Sequence, residues 1–192
     1  ISGIGIIITS PIMLIIAIAV KAYDRGPVFY FQDRLTLGGK PFKICKFRSM
    51  CVDSEKNGAR LASKHDSRIT PVGHVLRNLH LDELPQLFNV FMGDMSLVGP
   101  RPERESIMLE YEKELPEFYY RLKVKAGLTG YAQVYGKYNT TPYDKLKLDL
   151  FYIENYSFLL DIKLLFMTVK IFFQKEVSEG VDDDQKNALK DS

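Results

Sequence analysis

The sequence predicts an α+β domain in which helices dominate, with one small β-hairpin and an apolar N-terminal segment of membrane-helix length. Three observations lead there. Residues 1–20 carry no charge, about the length needed to cross the core of a bilayer. Strand-like runs are few and lie close together, at residues 28–32 and 42–47. Most of the remaining chain carries apolar residues at helical spacing. The 192 residues suffice for one sizeable domain, and 46% hydrophobic with 26% charged residues is ordinary for a folded protein. A net charge of +2 is too small to point to nucleic acid.

The apolar segment is followed at once by Lys21, Asp24 and Arg25. It allows three readings. A secretory signal would use Ala17-Ile18-Ala19 as its cleavage site, but no initiator Met and no basic leader stands before the run. A straight spanning helix satisfies the length. A bent helix is the third, because Ser10-Pro11 lies at the centre. A proline inside a helix removes one hydrogen bond, crowds the carbonyl of Ile7 and kinks the axis. The Ser10 hydroxyl is a local partner for the freed carbonyl, and Gly3 and Gly5 permit close packing. A sharp bend would let the segment enter and leave by one face, which periodicity alone does not decide.

Residues 28–32 and 42–47, joined through Gly38-Gly39, read as the hairpin. Lys43, Lys46 and Arg48 crowd its second half, as a solvated basic face or a binding surface. Residues 53–68 are polar and read as a loop. Residues 71–79 and 81–91 read as helices, the second carrying Leu84, Leu87, Phe88 and Phe91. Residues 103–120 are helical, with Ile107, Tyr111 and Leu115 on one stripe and a break or bend at Pro116. Gly127, Gly130 and Gly136 mark a loop, and residues 144–156 are helical again. Residues 158–173 are strongly apolar, interrupted by Asp161, Lys163 and Lys170. The two lysines lie one heptad apart, which suits an amphipathic helix in a membrane interface and equally a core-facing helix. Residues 176–192 are polar and expected to be disordered. The organisation is a membrane segment over 1–22, a domain over 23–175 and a tail over 176–192. Cys45 and Cys51 form neither a metal knuckle nor a disulfide framework, and free thiols in a reducing compartment are expected.

Two stretches could carry chemistry. Leu81-Asp82-Glu83-Leu84-Pro85 sets adjacent carboxylates where a helix begins, with Pro85 in its first turn. A helix N-terminus favours their ionised form, and the pair could attract a divalent cation. Magnesium takes few protein carboxylates and keeps phosphate oxygens in its shell. An ionised Asp can attack phosphorus. The plainer reading is a favourable charge placement. Residues 93–102 are rich in turn-formers around Arg101. Pro100 and Pro102 would hold it rigidly, and its planar fork suits phosphate oxygens, unless the stretch is only a turn.

Lys46-Phe47-Arg48-Ser49-Met50, Leu81-Asp82-Glu83-Leu84-Pro85-Gln86-Leu87, the 93–102 stretch and Gly127-Leu128-Thr129-Gly130-Tyr131-Ala132-Gln133-Val134 occur in one order. Together they resemble the bacterial sugar transferase family, the monotopic phosphoglycosyl transferases, over nearly the whole chain. The resemblance implies a re-entrant membrane helix broken at Ser10-Pro11, with both ends on the cytoplasmic side of the bacterial inner membrane. It implies that Asp82 of the Asp82-Glu83 dyad attacks the phosphate next to the sugar of a UDP-sugar and releases UMP. A polyprenyl (undecaprenyl) phosphate then collects the phosphosugar from the covalent intermediate, an early membrane step of exopolysaccharide or other glycan assembly. Magnesium is the implied cofactor, held by Asp82 and Glu83. Lys46, Arg48, Arg101 and Lys137 are the implied substrate-binding cations, and Asp161 the implied further essential acid. The lipid bilayer is an expected partner, nucleic acid is not, and a homo-oligomer is compatible.

The chain departs from the pattern in places. Lys137 stands where many members carry Arg, which keeps the charge and loses the bidentate fork. His80 precedes the dyad where a small hydroxyl residue is common, and is expected to be a helix-start neighbour rather than a metal ligand. An amphipathic lead-in before the apolar segment is missing. Two other classes compete. A catalytically inactive membrane-anchored scaffold would be expected to have lost part of the set Asp82, Glu83, Arg101 and Asp161, which is complete. A metal-dependent phosphohydrolase would need a water-positioning base, for which no residue outside the dyad is placed. The stretch from Lys137 to Tyr143 points weakly to UDP-glucose or UDP-galactose.

Overall fold

A computed structural model describes residues 1–52, 54, 66–136 and 140–172. Helices dominate, as expected. Helix α1 (Ser2–Asp24) is long and apolar enough to cross a membrane, and only 17% of its most apolar window is buried, unlike a soluble core helix. It runs on through Pro11. The Ser10 hydroxyl donates to the carbonyl of Ile7 at 2.8 Å, satisfying the acceptor that the proline leaves free. The Thr9 hydroxyl also donates to a helix carbonyl, that of Gly5, at 2.8 Å.

One face of α1 is packed along its length. Met13, Ile16 and Val20 share a core with Phe47 and Leu76. Nearer the start, a Cβ on Gly3 or Gly5 would touch the side chains of Phe91 and Leu87 at 3.4 and 3.5 Å. The opposite face, including Ile4, Ile8, Ile12, Ile15 and Ile18, is exposed. Exposed apolar area of this extent marks a surface meant for something other than water.

Strands β1 (Phe29–Leu35) and β2 (Pro41–Phe47) form the expected hairpin, antiparallel from Phe29 opposite Phe47 to Leu35 opposite Pro41. Strand β1 extends three residues beyond the expected end. Its inward face there is polar, through Gln32 and Arg34, which hides the alternation that pattern-reading relies on. Helix α2 (Pro71–Asn78) starts at Thr70, whose hydroxyl accepts from the Gly73 amide at 2.9 Å. The helix expected over 81–91 is two pieces: a 3-10 turn (Leu81–Glu83) and α3 (Gln86–Met92), separated at Leu84-Pro85.

The turn-rich stretch after α3 contains a short strand, β3 (Ser96–Val98), and the glycine-rich region expected as loop contains β4 (Gly127–Thr129). They pair in parallel, Ser96 with Gly127 and Val98 with Thr129. Three residues are too few to show a period, so sequence pattern missed both. Close approach needs glycine here: a Cβ on Gly127 would lie 2.1 Å from the Gly99 nitrogen. Helix α4 (Glu105–Glu114) gives way at Pro116 to a 3-10 stretch (Pro116–Lys123), as expected of that proline. Helices α5 (Tyr131–Tyr135), α6 (Pro142–Asn155) and α7 (Phe158–Phe172) complete the domain.

Helix α7 has one buried and one exposed side. Leu164 is fully buried against Val98 and Tyr152, while Leu159, Lys163, Phe166 and Lys170 share the exposed side. The 176–192 tail and most of the 53–68 loop lie outside the described residues.

Candidate active site

The dyad sits in the 3-10 turn between α2 and α3. Leu81 and Leu84 flank it and pack against the α1 core, so α1 carries the turn directly. Glu83 is the electrostatic centre. Its Oε1 accepts from Lys46 Nζ at 2.6 Å and from Arg101 Nη2 at 2.5 Å, and its Oε2 from Arg101 Nη1 at 3.3 Å. Burial alone would raise the Glu83 carboxyl, but Arg101 and then Lys46 outweigh it and hold the group well below the usual carboxylate range. Glu83 is 16% exposed and the Arg101 side chain 40%, so the guanidinium keeps an open edge.

Asp82 differs from its neighbour. Among the described residues its carboxylate makes no hydrogen bond or salt bridge, and it is half-buried. Burial and the adjacent Glu83 push its carboxyl above the ordinary Asp value, while Lys46, Arg77 and His80 act in the opposite sense. Burial pulls the Lys46 ammonium down, against the attraction of Glu83. The expected divalent-cation pair is therefore not symmetric. Both Glu83 oxygens are engaged by cations, and no group of three metal-ligating side chains occurs among the described residues. A single free carboxylate suits a magnesium ion that arrives with phosphate oxygens, not one held by the protein alone.

Arg101 is presented by an unusually well-held loop. The carbonyls of Pro100, Arg101, Pro102 and Glu103 are each captured: by the Gly127 amide at 2.9 Å, Arg121 Nη2 at 2.9 Å, Arg34 Nη1 at 3.1 Å and the Leu35 amide at 3.0 Å. Behind the loop, Arg121 Nε donates to Asp149 Oδ2 at 2.7 Å, and Lys145 pairs with Glu103. None of Arg34, Glu103, Arg121, Lys145 or Asp149 was singled out by sequence. One signal was available: Asp149 lies on the inward stripe of α6 between Leu146 and Tyr152, where an acid needs a partner.

The remaining expected residues fall elsewhere. Arg48, grouped with Lys46 as a substrate cation, has its guanidinium committed to Asp24 at the end of α1. The chain leaves the β2 ladder at Phe47, so adjacency in sequence does not keep the two cations together. Asp161 lies on α7, and its Oδ1 accepts from the Tyr152 hydroxyl at 2.8 Å. That hydroxyl is pushed far up by burial and by Asp161, and it stands 3.4 Å from the Val98 carbonyl, just before the loop that carries Arg101. Lys137 lies outside the described residues. Cys45 and Cys51 are free thiols, as expected.

Residues 1–175 match the bacterial sugar transferase family. The chain is 44% identical over 170 residues to the UDP-N-acetylgalactosamine-undecaprenyl-phosphate N-acetylgalactosaminephosphotransferase of Aeromonas hydrophila, covering 87% of this chain and 40% of that protein. It is 44% identical over 174 residues to the UDP-glucose:undecaprenyl-phosphate glucose-1-phosphate transferase of Klebsiella pneumoniae, covering 88% and 37%. Against the enzyme of the same name from Escherichia coli (strain K12), identity is 41% over 169 residues, covering 85% and 36%. The chain thus spans about two fifths of the length of these relatives.

Proposed function

The chain belongs to the bacterial sugar transferase family, and from that premise we propose that it transfers a sugar 1-phosphate from a UDP-sugar to undecaprenyl phosphate through an aspartyl intermediate. The observation that carries this reading is the division of labour in the dyad. Glu83 is fixed between Lys46 and Arg101, while the neighbouring Asp82 carboxylate has no hydrogen-bond or ion-pair partner among the described residues and a raised proton affinity. One acid is a template for cations, and the other is left to react.

In the first step an Asp82 oxygen attacks the phosphorus bonded to the sugar oxygen. The bond from that phosphorus to the bridging oxygen breaks, and UMP leaves with the electron pair. In the second step an oxygen of undecaprenyl phosphate attacks the same phosphorus, and the bond to Asp82 breaks. The carboxylate is restored, and the lipid carries a diphosphate-linked sugar. Lys46 and Arg101, already oriented by Glu83, face the developing phosphate charge without reorganising. Asp82 would hold a magnesium ion, which would supply further charge neutralisation at the reacting phosphate.

Membrane placement follows the same logic. The acceptor keeps its tail in lipid, so its phosphate arrives at the interface. The first turns of α1 pack on α3, and its second half packs on Phe47 and Leu76. A helix crossing the bilayer away from the domain would not keep both contacts, which supports a re-entrant path at the inner membrane with the domain in the cytoplasm. Lys163 and Lys170, beside exposed Leu159 and Phe166, suit α7 to the headgroup level.

The test is UMP release by the chain in nanodiscs, with and without undecaprenyl phosphate. The relatives' names divide between N-acetylgalactosamine and glucose donors, and the panel spans UDP-N-acetylgalactosamine and UDP-glucose together with the UDP-galactose expected from sequence. Intact mass of the protein after donor alone should show one added phosphosugar. Neither UMP nor adduct with any donor would overturn the reading.

A further inference from the structure

The most deeply buried ion pair in the described chain touches no exposed surface near the dyad. Arg121 is 3% exposed and Asp149 is 1% exposed. A buried ion pair stabilises a fold no better than well-packed apolar side chains of similar size. Its distinctive property is direction, because a guanidinium presents several donors at fixed angles. Arg121 uses that property on the residue that matters most. Its Nε donates to Asp149 Oδ2 at 2.7 Å and its Nη2 to the main-chain carbonyl of Arg101 at 2.9 Å. Glu103 lies 3.7 Å from its Nη1, and the Phe118 ring packs 4.7 Å from the guanidinium carbon.

We infer that Arg121, braced by Asp149, is a positioning residue for the transfer, acting through Arg101. The Arg101 carbonyl is a main-chain group beside the Cα that carries the guanidinium, and prolines on both sides remove most backbone freedom. Fixing the carbonyl therefore fixes where the side chain starts, while Glu83 holds the fork at its other end, so both anchors set how the guanidinium faces the donor diphosphate. The inference rests on the proposed reading of Arg101 as a phosphate-facing cation. A lysine at position 121 keeps the charge but lacks the planar fork that spans the two acceptors, so it separates charge from geometry.

The experiment uses the full chain in nanodiscs, with kcat/KM for UMP release, affinity for UDP and melting temperature measured together. Arg121→Lys should stay folded and lose about tenfold or more in kcat/KM, since small displacements of a positioned group are costly. In an Arg101→Lys background the same change should cause no further loss, because the group it positions has already gone. Asp149→Asn should repeat both results, and it decides the matter if Arg121→Lys does not fold. Parent-level kcat/KM in the folded variant, or losses that multiply with Arg101→Lys, would overturn the inference while leaving the transferase reading intact. A parent chain that neither binds UDP nor releases UMP would overturn both.

Discussion

Asp24, in the last turn of α1, and Arg48, just beyond β2, form a two-pronged ion pair, with Nη1 to Oδ2 at 2.8 Å and Nη2 to Oδ1 at 2.5 Å. The pair ties the end of α1 to the strand that carries Lys46. Gly26 makes room for it, since a Cβ there would lie 2.4 Å from Arg48 Nη1. Substituting Asp24→Asn should lower stability by about 1 kcal/mol, roughly 2–4 °C in melting temperature, because Asp24 is partly exposed and screening weakens the pair. The Arg48 hydrogen bonds hold the Asp24 carboxyl below its ordinary value. Its contribution is therefore complete above the ordinary Asp range and is lost as pH falls through the depressed value. Identical melting curves for parent and variant would remove the pair from the account.

Asp82→Asn should reduce UMP release by about a thousandfold or more, the scale of losing a nucleophile. Melting temperature should hardly change, since no ion pair is broken and the like charge beside Glu83 is relieved. A purified variant that turns over near the parent rate would rule out a covalent step at this residue.

The pH profile offers an independent check on the same carboxylate. Attack requires its ionised form, and burial with the neighbouring Glu83 charge raises its proton affinity. The acid limb of the rate should therefore lie above the ordinary Asp value and fall away as pH drops through the raised one. Arg77 opposes the rise, so Arg77→Ala should move the limb to still higher pH. A limb unmoved by that change would mean that another group governs it.

For Asp161, the comparison is with its hydrogen-bond donor. Asp161→Asn keeps the shape and can still accept from Tyr152, so stability should hold while the rate falls on the order of a hundredfold if the negative charge serves the reaction. Tyr152→Phe removes the hydrogen bond and should cost about 1 kcal/mol of stability. Full activity in a folded Asp161→Asn protein would leave Asp161 with the interhelical bond as its role.

Pro11→Ala restores an amide donor at the centre of α1 and should straighten it. Accessibility labelling of the N-terminus should then shift away from the cytoplasmic side, with loss of the α1–α3 contact at Gly3 and Phe91. The same labelling pattern in parent and variant would mean that Pro11 does not set the path of α1.

Sequence by itself determined the elements whose signals are local. Charge-free length marked α1, alternation marked the hairpin, and Pro116 marked the end of α4. Ser10 could be matched to the Ile7 carbonyl from spacing alone, because both lie within one turn. The dyad and Arg101 were legible as residue types in a pattern, each with a plainer structural reading, and the resemblance to a known family singled them out. Tertiary structure decided how the charges are shared. Asp82 and Glu83 are neighbours in sequence, yet only Glu83 meets Lys46 and Arg101, from residues 37 and 18 positions away. Lys46 and Arg48 are two residues apart, yet one faces the dyad and the other faces Asp24. The parallel β3–β4 pair leaves no periodic trace, and the place of Asp149 on the α6 stripe asks for a partner without naming Arg121, because each pairing joins segments distant in the chain. Ion pairing depends on distance in space, and a sequence records only distance along the chain.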